Sequence, residues 1–156
     1  MAEPSFGLGF DVHPPADDRE LWLGGIRFPD DPGLAGHSDG DVACHAIADA
    51  LLGAAALGDV GVHFPDTDPA TEGIAGVDLV ERTVALLAAA GWSPWSADLT
   101  IVCDRPRIDG RRDEMRVGLA AVLGVPVERV SVKATRPEGL GLTGDGIGCL
   151  ALAVVR

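Results

Sequence analysis

Asp11 and His13 stand two residues apart in the stretch GLGFDVHPP. In a strand, alternate side chains share a face, so these two point one way while Phe10 and Val12 point the other. Pro14 and Pro15 then stop the ladder. An acid and an imidazole delivered together at a strand end are either two metal ligands waiting for a third or an ordinary solvated terminus. The next candidate donor is His45, one turn into a helix-prone run, with Asp41 four residues before it and Asp49 four residues after it on the same face. A carboxylate one turn away is the usual partner that fixes the tautomer of a ligating imidazole, so Asp49 is a candidate outer partner, although a solvated polar face has the same pattern. Two imidazoles and a carboxylate suit Zn²⁺ with a fourth position open to substrate or water. The spacing is not a regular zinc motif, so the fold has to bring the three together.

Two loops add polar groups. HSDGD places His37, Ser38 and two acids before a helix N-terminus, where free N–H groups and the helix dipole favour an anion. Capping explains Asp41 but not His37. FPDTDP is a proline-bounded acidic turn, read by itself as a turn rather than a site. Glu138, in the glycine-rich segment after VSVKAT, is either a ligand for a hard cation such as Mg²⁺ or a solvated loop acid.

These residues need a scaffold. SFGLGFDVH reads as a first strand and LWLGGIRFP as a hairpin turning at Gly24-Gly25. A helix follows over VACHAIADALLGAAALG, with Ser38 and Asp41 as a capping pair and Gly58 as its stop. DVGVHFPDTDPATEG reads as a loop, VDLVERTVALLAAAG as a second helix and ADLTIVCD as a strand. RRDEMRVGLAAVLG is a third helix, RVSVKAT a strand and CLALAVV a last apolar strand. The expected fold class is α+β: a single domain over residues 1–156, with a mixed sheet of four to five strands covered on one face by about three helices.

The bulk properties set limits. The 156 residues are 47% hydrophobic, enough for a buried core. The net charge of −12 argues against a nonspecific nucleic-acid surface, although metal ions can reverse the field locally for an anionic substrate. No apolar run approaches the roughly 20 residues that span a bilayer, so no membrane partner is expected. MAEPSFG lacks the start of a secretory signal, and a cytoplasmic location is expected. Cys44, Cys103 and Cys149 are odd in number and widely spaced, as reduced buried thiols are.

Taken together, GFDVH, AGHSDGDVACHAIADALLGAAALGD, GVHFPDTDP, VKAT and GLGLTG resemble, in order and separation, the 2-C-methyl-D-erythritol 2,4-cyclodiphosphate synthase family of non-mevalonate isoprenoid biosynthesis. The resemblance covers essentially the whole chain. It implies a lyase that closes the cytidine diphosphate ester of methylerythritol 2-phosphate into a cyclic diphosphate and expels CMP. It also implies a homotrimer with active sites between subunits. By the same resemblance, Asp11, His13 and His45 hold Zn²⁺ or another divalent transition metal, and Glu138 holds Mg²⁺ or Mn²⁺. His37 and Ser38 contact the phosphates and the methylerythritol part. Asp59, Val60, Gly61, Phe64, Pro65, Asp66, Thr67 and Asp68 line that pocket, beside Asp11, Val12 and His13. The cytidine end falls to Cys103, Asp104, Arg105, Pro106, Arg107, Ile108, Asp109 and Thr135.

The chain also departs from that family. Where the family carries a threonine run, this sequence reads ATRPE, so Arg136 stands at a position associated with transition-state assistance and Pro137 stiffens the loop. A guanidinium suits phosphate oxygens well, and it can also crowd a site. Leu142, Asp145 and Ile147 depart from the family's F-x-G-R-x-E, whose Arg and Glu are tied to a cavity on the trimer axis that can hold isoprenoid diphosphates; Asp145 in place of Arg implies that this chain does not bind them there. Two other readings stand beside the synthase. One is a zinc hydrolase or deaminase, for which HExxH and PCxxC signatures are missing. The other is a metal-binding trimer whose altered ATRPE loop has lost turnover.

Overall fold

Gly7, Gly9, Asp11 and His13 occupy alternate positions of strand β1 (Ser5–His13) and share one face. The computed structural model describes residues 3–156, and it lays helix α1 (Val42–Ala54) against that face. A methyl group on Gly7 would lie 2.2 Å from the carbonyl oxygen of Ala50, and one on Gly9 would lie 1.9 Å from that of Ala46. Only glycine permits so close an approach of two backbones. The helix contributes small residues in turn, with Ala46, Ala50 and Ala54 fully or nearly buried. Two strand residues advance about 6.8 Å and four helical residues about 6 Å, so Gly-x-Gly stays in step with Ala-x-x-x-Ala.

β1 pairs antiparallel with β6 (Ile147–Val155), which pairs antiparallel with β4 (Pro94–Val102). β4 pairs parallel with β5 (Val130–Thr135), giving a mixed sheet in the order β1-β6-β4-β5. The parallel step is made by helix α4 (Arg112–Leu123), while α3 (Gly76–Ala89) packs on α1 and α4. The expected single α+β domain is thus observed; of its expected span, 1–156, residues 1 and 2 lie outside the described residues. Opposite the helices, the sheet presents Phe6, Leu8, Phe10 and Val12 of β1 with Leu150 and Leu152 of β6, each between 40% and 74% exposed. Among the described residues no helix is long and apolar enough to cross a membrane.

Several boundaries differ from expectation, each for a local reason. β2 (Pro15–Leu23) and β3 (Ile26–Leu34) form a separate hairpin that begins at Pro15, a proline being tolerated as the first residue of a strand. Asp41 alone caps α1, accepting from the amides of Ala43 and Cys44 at 3.1 Å, so the Ser38–Asp41 capping pair does not form. The same carboxylate takes the amides of Gly24 and Gly25 at 2.8 Å and so fastens the hairpin turn to the helix. α1 ends before Gly58: Ala56 turns left-handed at φ +56°, and the Leu57 amide reaches back to the Leu52 carbonyl at 2.9 Å. Within the expected loop, Val60–His63 form a short helix, α2, capped by Asp59.

If the contact of β1 with α1 sets the position of both elements, Gly9→Ala will destabilise the protein by about 3 kcal/mol or more, since neither backbone has room to yield. Gly53→Ala, on the open side of the same helix, will be tolerated. Urea denaturation of both variants checks this.

Candidate functional site

Directly beyond the two glycines, the same face of β1 offers Asp11 and His13, and the first turn of α1 brings up His45. One oxygen, Asp11 Oδ2, lies 3.0 Å from His13 Nε2 and 3.1 Å from His45 Nδ1. The rings stand at 65° with centroids 5.8 Å apart. The three donor atoms all lie within 4.8 Å of one another. Tetrahedral ligands at about 2.0–2.1 Å from Zn²⁺ stand roughly 3.3 Å apart, so this set fits such an ion with little rearrangement and leaves one position open.

The electrostatics fit the same use. Burial pushes the Asp11 carboxyl up, but hydrogen bonds from His13 and His45, and their charge, outweigh it and hold the group well below the usual carboxylate range. His13 is raised above its ordinary 6.5, first by its hydrogen bond to Asp11, against the opposing effect of burial. Burial also raises Asp49.

The outer partner of His45 is not the one its helix face implies. Asp41 is spent on the cap, and Asp49 accepts the Val60 amide at 2.7 Å, holding the start of α2. Ser38 Oγ instead lies 2.9 Å from His45 Nε2, the ring nitrogen turned away from Asp11. A helical period places carboxylates on the side of His45, but the chain's return through residues 35–41 puts a hydroxyl nearer.

His13, His37, Ser38 and His45 line one wall of a pocket of about 240 Å³ whose far side holds Val60, Gly61, Phe64 and Asp66. Asp59 and Asp68 cap the short turns around it, accepting the amides of Val62 and Ala70. Pro65 accepts from the Thr71 hydroxyl, and Thr67 is exposed on the same turn. Thr71, Ile74 and Leu79 complete the lining and are absent from the sequence reading. Thr71 Oγ1 lies 3.5 Å from His37 Nε2. A buried threonine within an otherwise exposed turn is visible only once the turn is folded.

A second pocket, of about 160 Å³, gathers Cys103, Asp104, Pro106, Arg107, Ile108, Asp109, Thr135 and Arg136. Burial, with Asp104 and Asp31 nearby, pushes the Cys103 thiol up to about 11, so it is not a nucleophile there. Arg105 turns away and donates to Asp31 at 3.0 Å, in a third cavity that also takes Asp145. Val12 points to the opposite face of β1, and Leu142 is exposed. Pro137 is buried, and Glu138 is exposed at φ +54°, a left-handed conformation that favours glycine. Glu138 does not join the Asp11–His13–His45 cluster.

The model of the YgbB family matches residues 5–156. The 2-C-methyl-D-erythritol 2,4-cyclodiphosphate synthase of Trichlorobacter lovleyi is 50% identical over 149 residues, covering 96% of this chain and 95% of that one. The same-named enzyme of Symbiobacterium thermophilum is 50% identical over 151 residues, 96% of each. A solved 2C-methyl-D-erythritol-2,4-cyclodiphosphate synthase in a CDP-bound form superposes with a TM-score of 0.89 at 33% identity, covering 97% of this chain and 99% of that one. The chain belongs to the YgbB family of 2-C-methyl-D-erythritol 2,4-cyclodiphosphate synthases.

Within this synthase family member, a metal ion held by Asp11, His13 and His45 would have to compete with a proton for His13. Because the His13 pKa is raised, that competition sets in above pH 6.5 as pH falls, while Asp11 stays ionised throughout. Zinc affinity, titrated against a chelator between about pH 5.5 and 8, is expected to drop by about tenfold per pH unit for each proton displaced, from a break above the ordinary histidine value. A pH-independent affinity contradicts the assignment of His13 as a ligand.

Proposed function

We propose that this chain converts 4-diphosphocytidyl-2-C-methyl-D-erythritol 2-phosphate to 2-C-methyl-D-erythritol 2,4-cyclodiphosphate, releasing CMP, as a phosphorus–oxygen lyase of the cytoplasm. The observation that carries the reading is the convergence of Asp11 with His13 and His45, two imidazoles that line the same pocket as His37 and Ser38.

An oxygen of the 2-phosphate attacks the β-phosphorus. The new P–O bond closes an eight-membered ring as the bond from the β-phosphorus to the α,β-bridging oxygen breaks, and its electron pair leaves with CMP. No protein nucleophile takes part, so the chain's task is alignment and charge neutralisation. Asp11, His13 and His45 would hold Zn²⁺, which supplies Lewis-acid polarisation of a phosphate oxygen. Glu138 would hold Mg²⁺ or Mn²⁺ with one carboxylate, as is usual where substrate phosphates provide the other ligands. His37 and Ser38 orient the methylerythritol phosphate, and the second pocket receives cytidine. Arg136 and Arg107, at that pocket, face the diphosphate; a guanidinium there offers a charged donor where the family's pattern has a hydroxyl.

The two pockets share no lining residue within one chain. Together with the apolar sheet face left uncovered on β1 and β6, this supports a homotrimer in which neighbouring subunits complete each site.

A second reading, a metal-binding trimer without turnover, draws on Arg136 and Pro137. CMP release by the purified protein, with and without zinc and magnesium, separates the two. The native protein is expected to release CMP and form the cyclic diphosphate only with metal, and Arg136→Thr to be slower by about tenfold, the worth of one charged hydrogen bond. A silent native protein whose activity appears in Arg136→Thr establishes the second reading.

A further inference from the structure

Strand β2 is interrupted where it passes the site. Ala16 pairs with Gly33 and Glu20 with Pro32, so Asp17, Asp18 and Arg19 bulge out opposite no residue of β3. Gly33 makes room for this, since a methyl group there would lie 2.5 Å from the Arg19 carbonyl oxygen and 2.6 Å from that of Glu20. Bulges of this kind re-aim a side chain. Here the re-aimed side chain is Arg19, which reaches 17 residues along the chain to donate from Nη1 to the Gly36 carbonyl at 2.7 Å and from Nη2 to the Ser38 carbonyl.

These carbonyls flank His37, whose own carbonyl accepts the Gly73 amide at 2.8 Å. Three consecutive carbonyls of the loop are therefore occupied, two of them by one planar guanidinium. Ser38 Oγ, held in turn by the Gly40 amide at 3.1 Å, stands against His45. Gly36 packs over the His13 ring, where a methyl group would lie 3.2 Å from Cε1. Residues 35–41, which carry His37 and Ser38, have no helix or ladder of their own.

We infer that Arg19 is a positioning residue: its two hydrogen bonds across the bulge fix the backbone on both sides of His37 and so set the placement of His37 and Ser38. The inference concerns the loop and rests on the reading above only for its effect on turnover. A lysine cannot reproduce the arrangement, because an ammonium lacks the fork that spans two carbonyls in one plane.

The test compares native protein with Arg19→Met, which keeps the stem and removes both donors, and with Arg19→Lys. Amide hydrogen exchange reads the loop at Gly40 and Gly73, whose acceptors are Ser38 Oγ and the His37 carbonyl. Ala43 and Cys44, held by Asp41, serve as the reference in the adjacent helix. Arg19→Met is expected to speed exchange at Gly40 and Gly73 by about tenfold or more, with Arg19→Lys between, and to leave Ala43 and Cys44 at native rates. In the CMP-release assay, kcat/KM falls by about 10- to 100-fold in Arg19→Met, mostly in kcat, as expected when a contacting group is misplaced rather than lost. Native rates at all four amides overturn the inference, and so does equal acceleration at all four, which marks general destabilisation. If the native protein releases no CMP, the cyclisation reading fails while the exchange comparison still decides the role of Arg19.

Discussion

The contact of β1 with α1 is the constraint from which the rest of the structure follows. It has almost no side chains in it: two glycines on one side and a column of alanines on the other bring main chain to within contact of main chain. Such an interface cannot slide, because any shift drives a Cβ of the helix into the strand. It fixes the helix in height, rotation and distance at once. His45, the residue immediately before Ala46, thereby arrives beside Asp11, its Nδ1 3.1 Å from the Asp11 carboxylate. The geometry of the three donors is a continuation of backbone packing. This explains why the three donor atoms already lie within 4.8 Å of one another.

A second layer of order comes from buried carboxylates that take main-chain amides. Asp41 gathers four of them, two from the hairpin turn and two from the helix start. Asp39 takes the amides of Asp41 and Gly76, joining the loop to the start of α3. Asp49 takes the amide of Val60. Each fully or partly buried charge is satisfied by donors that cannot move, so each link is specific as well as strong. These links tie down the loops around the pocket, beside a small apolar cluster of Ala48, Ile74 and Leu79 with Val60 and Phe64 packed against it. Carboxylates that a sequence reader assigns to catalysis or solvent are spent here on architecture.

That distinction marks what was legible in the sequence. Alternation along GLGFDVH and the apolar period of the Ala-Leu run were enough to place Asp11, His13 and His45 on their elements, because strand and helix periods are local properties. The resemblance to the cyclodiphosphate synthases placed the loops around them. The partners of those loops were not legible. Asp49 has a helical spacing to His45 that fits a tautomer-fixing contact, yet its oxygen is taken by an amide 11 residues away. Ser38 looked like part of a capping box and instead meets the imidazole. Arg19 gave no signal at all, since its position depends on a three-residue bulge that a strand pattern does not encode. Two prolines signal the end of β1, and nothing in that signal shows that Pro15 also begins the hairpin.

The site divides accordingly into a locked half and an open half, and Arg136, Leu142 and Asp145, where the chain departs from the family's pattern, fall in the open one. Asp11, His13 and His45 are held by β1 and α1, whose shared interface at Gly7 and Gly9 leaves no room for a larger side chain. Arg136, Glu138, Leu142 and Asp145 lie in the exposed turn between β5 and β6, which makes few internal contacts and tolerates new side chains. Among the described residues, seven of the chain's twelve cations sit in ion pairs: Arg27 with Glu20, Arg105 with Asp31, Arg107 and Arg112 with Asp109, Arg111 with Glu114, Arg116 with Asp113 and Lys133 with Asp98. Arg129 and Arg156 lie on the ring of Trp95. In a chain of net charge −12, an added guanidinium at the rim of the second pocket changes the local field far more than it would on a basic surface. The open turn is thus where this chain can alter its handling of a polyanion at little cost to its fold, and Arg136 stands in that turn.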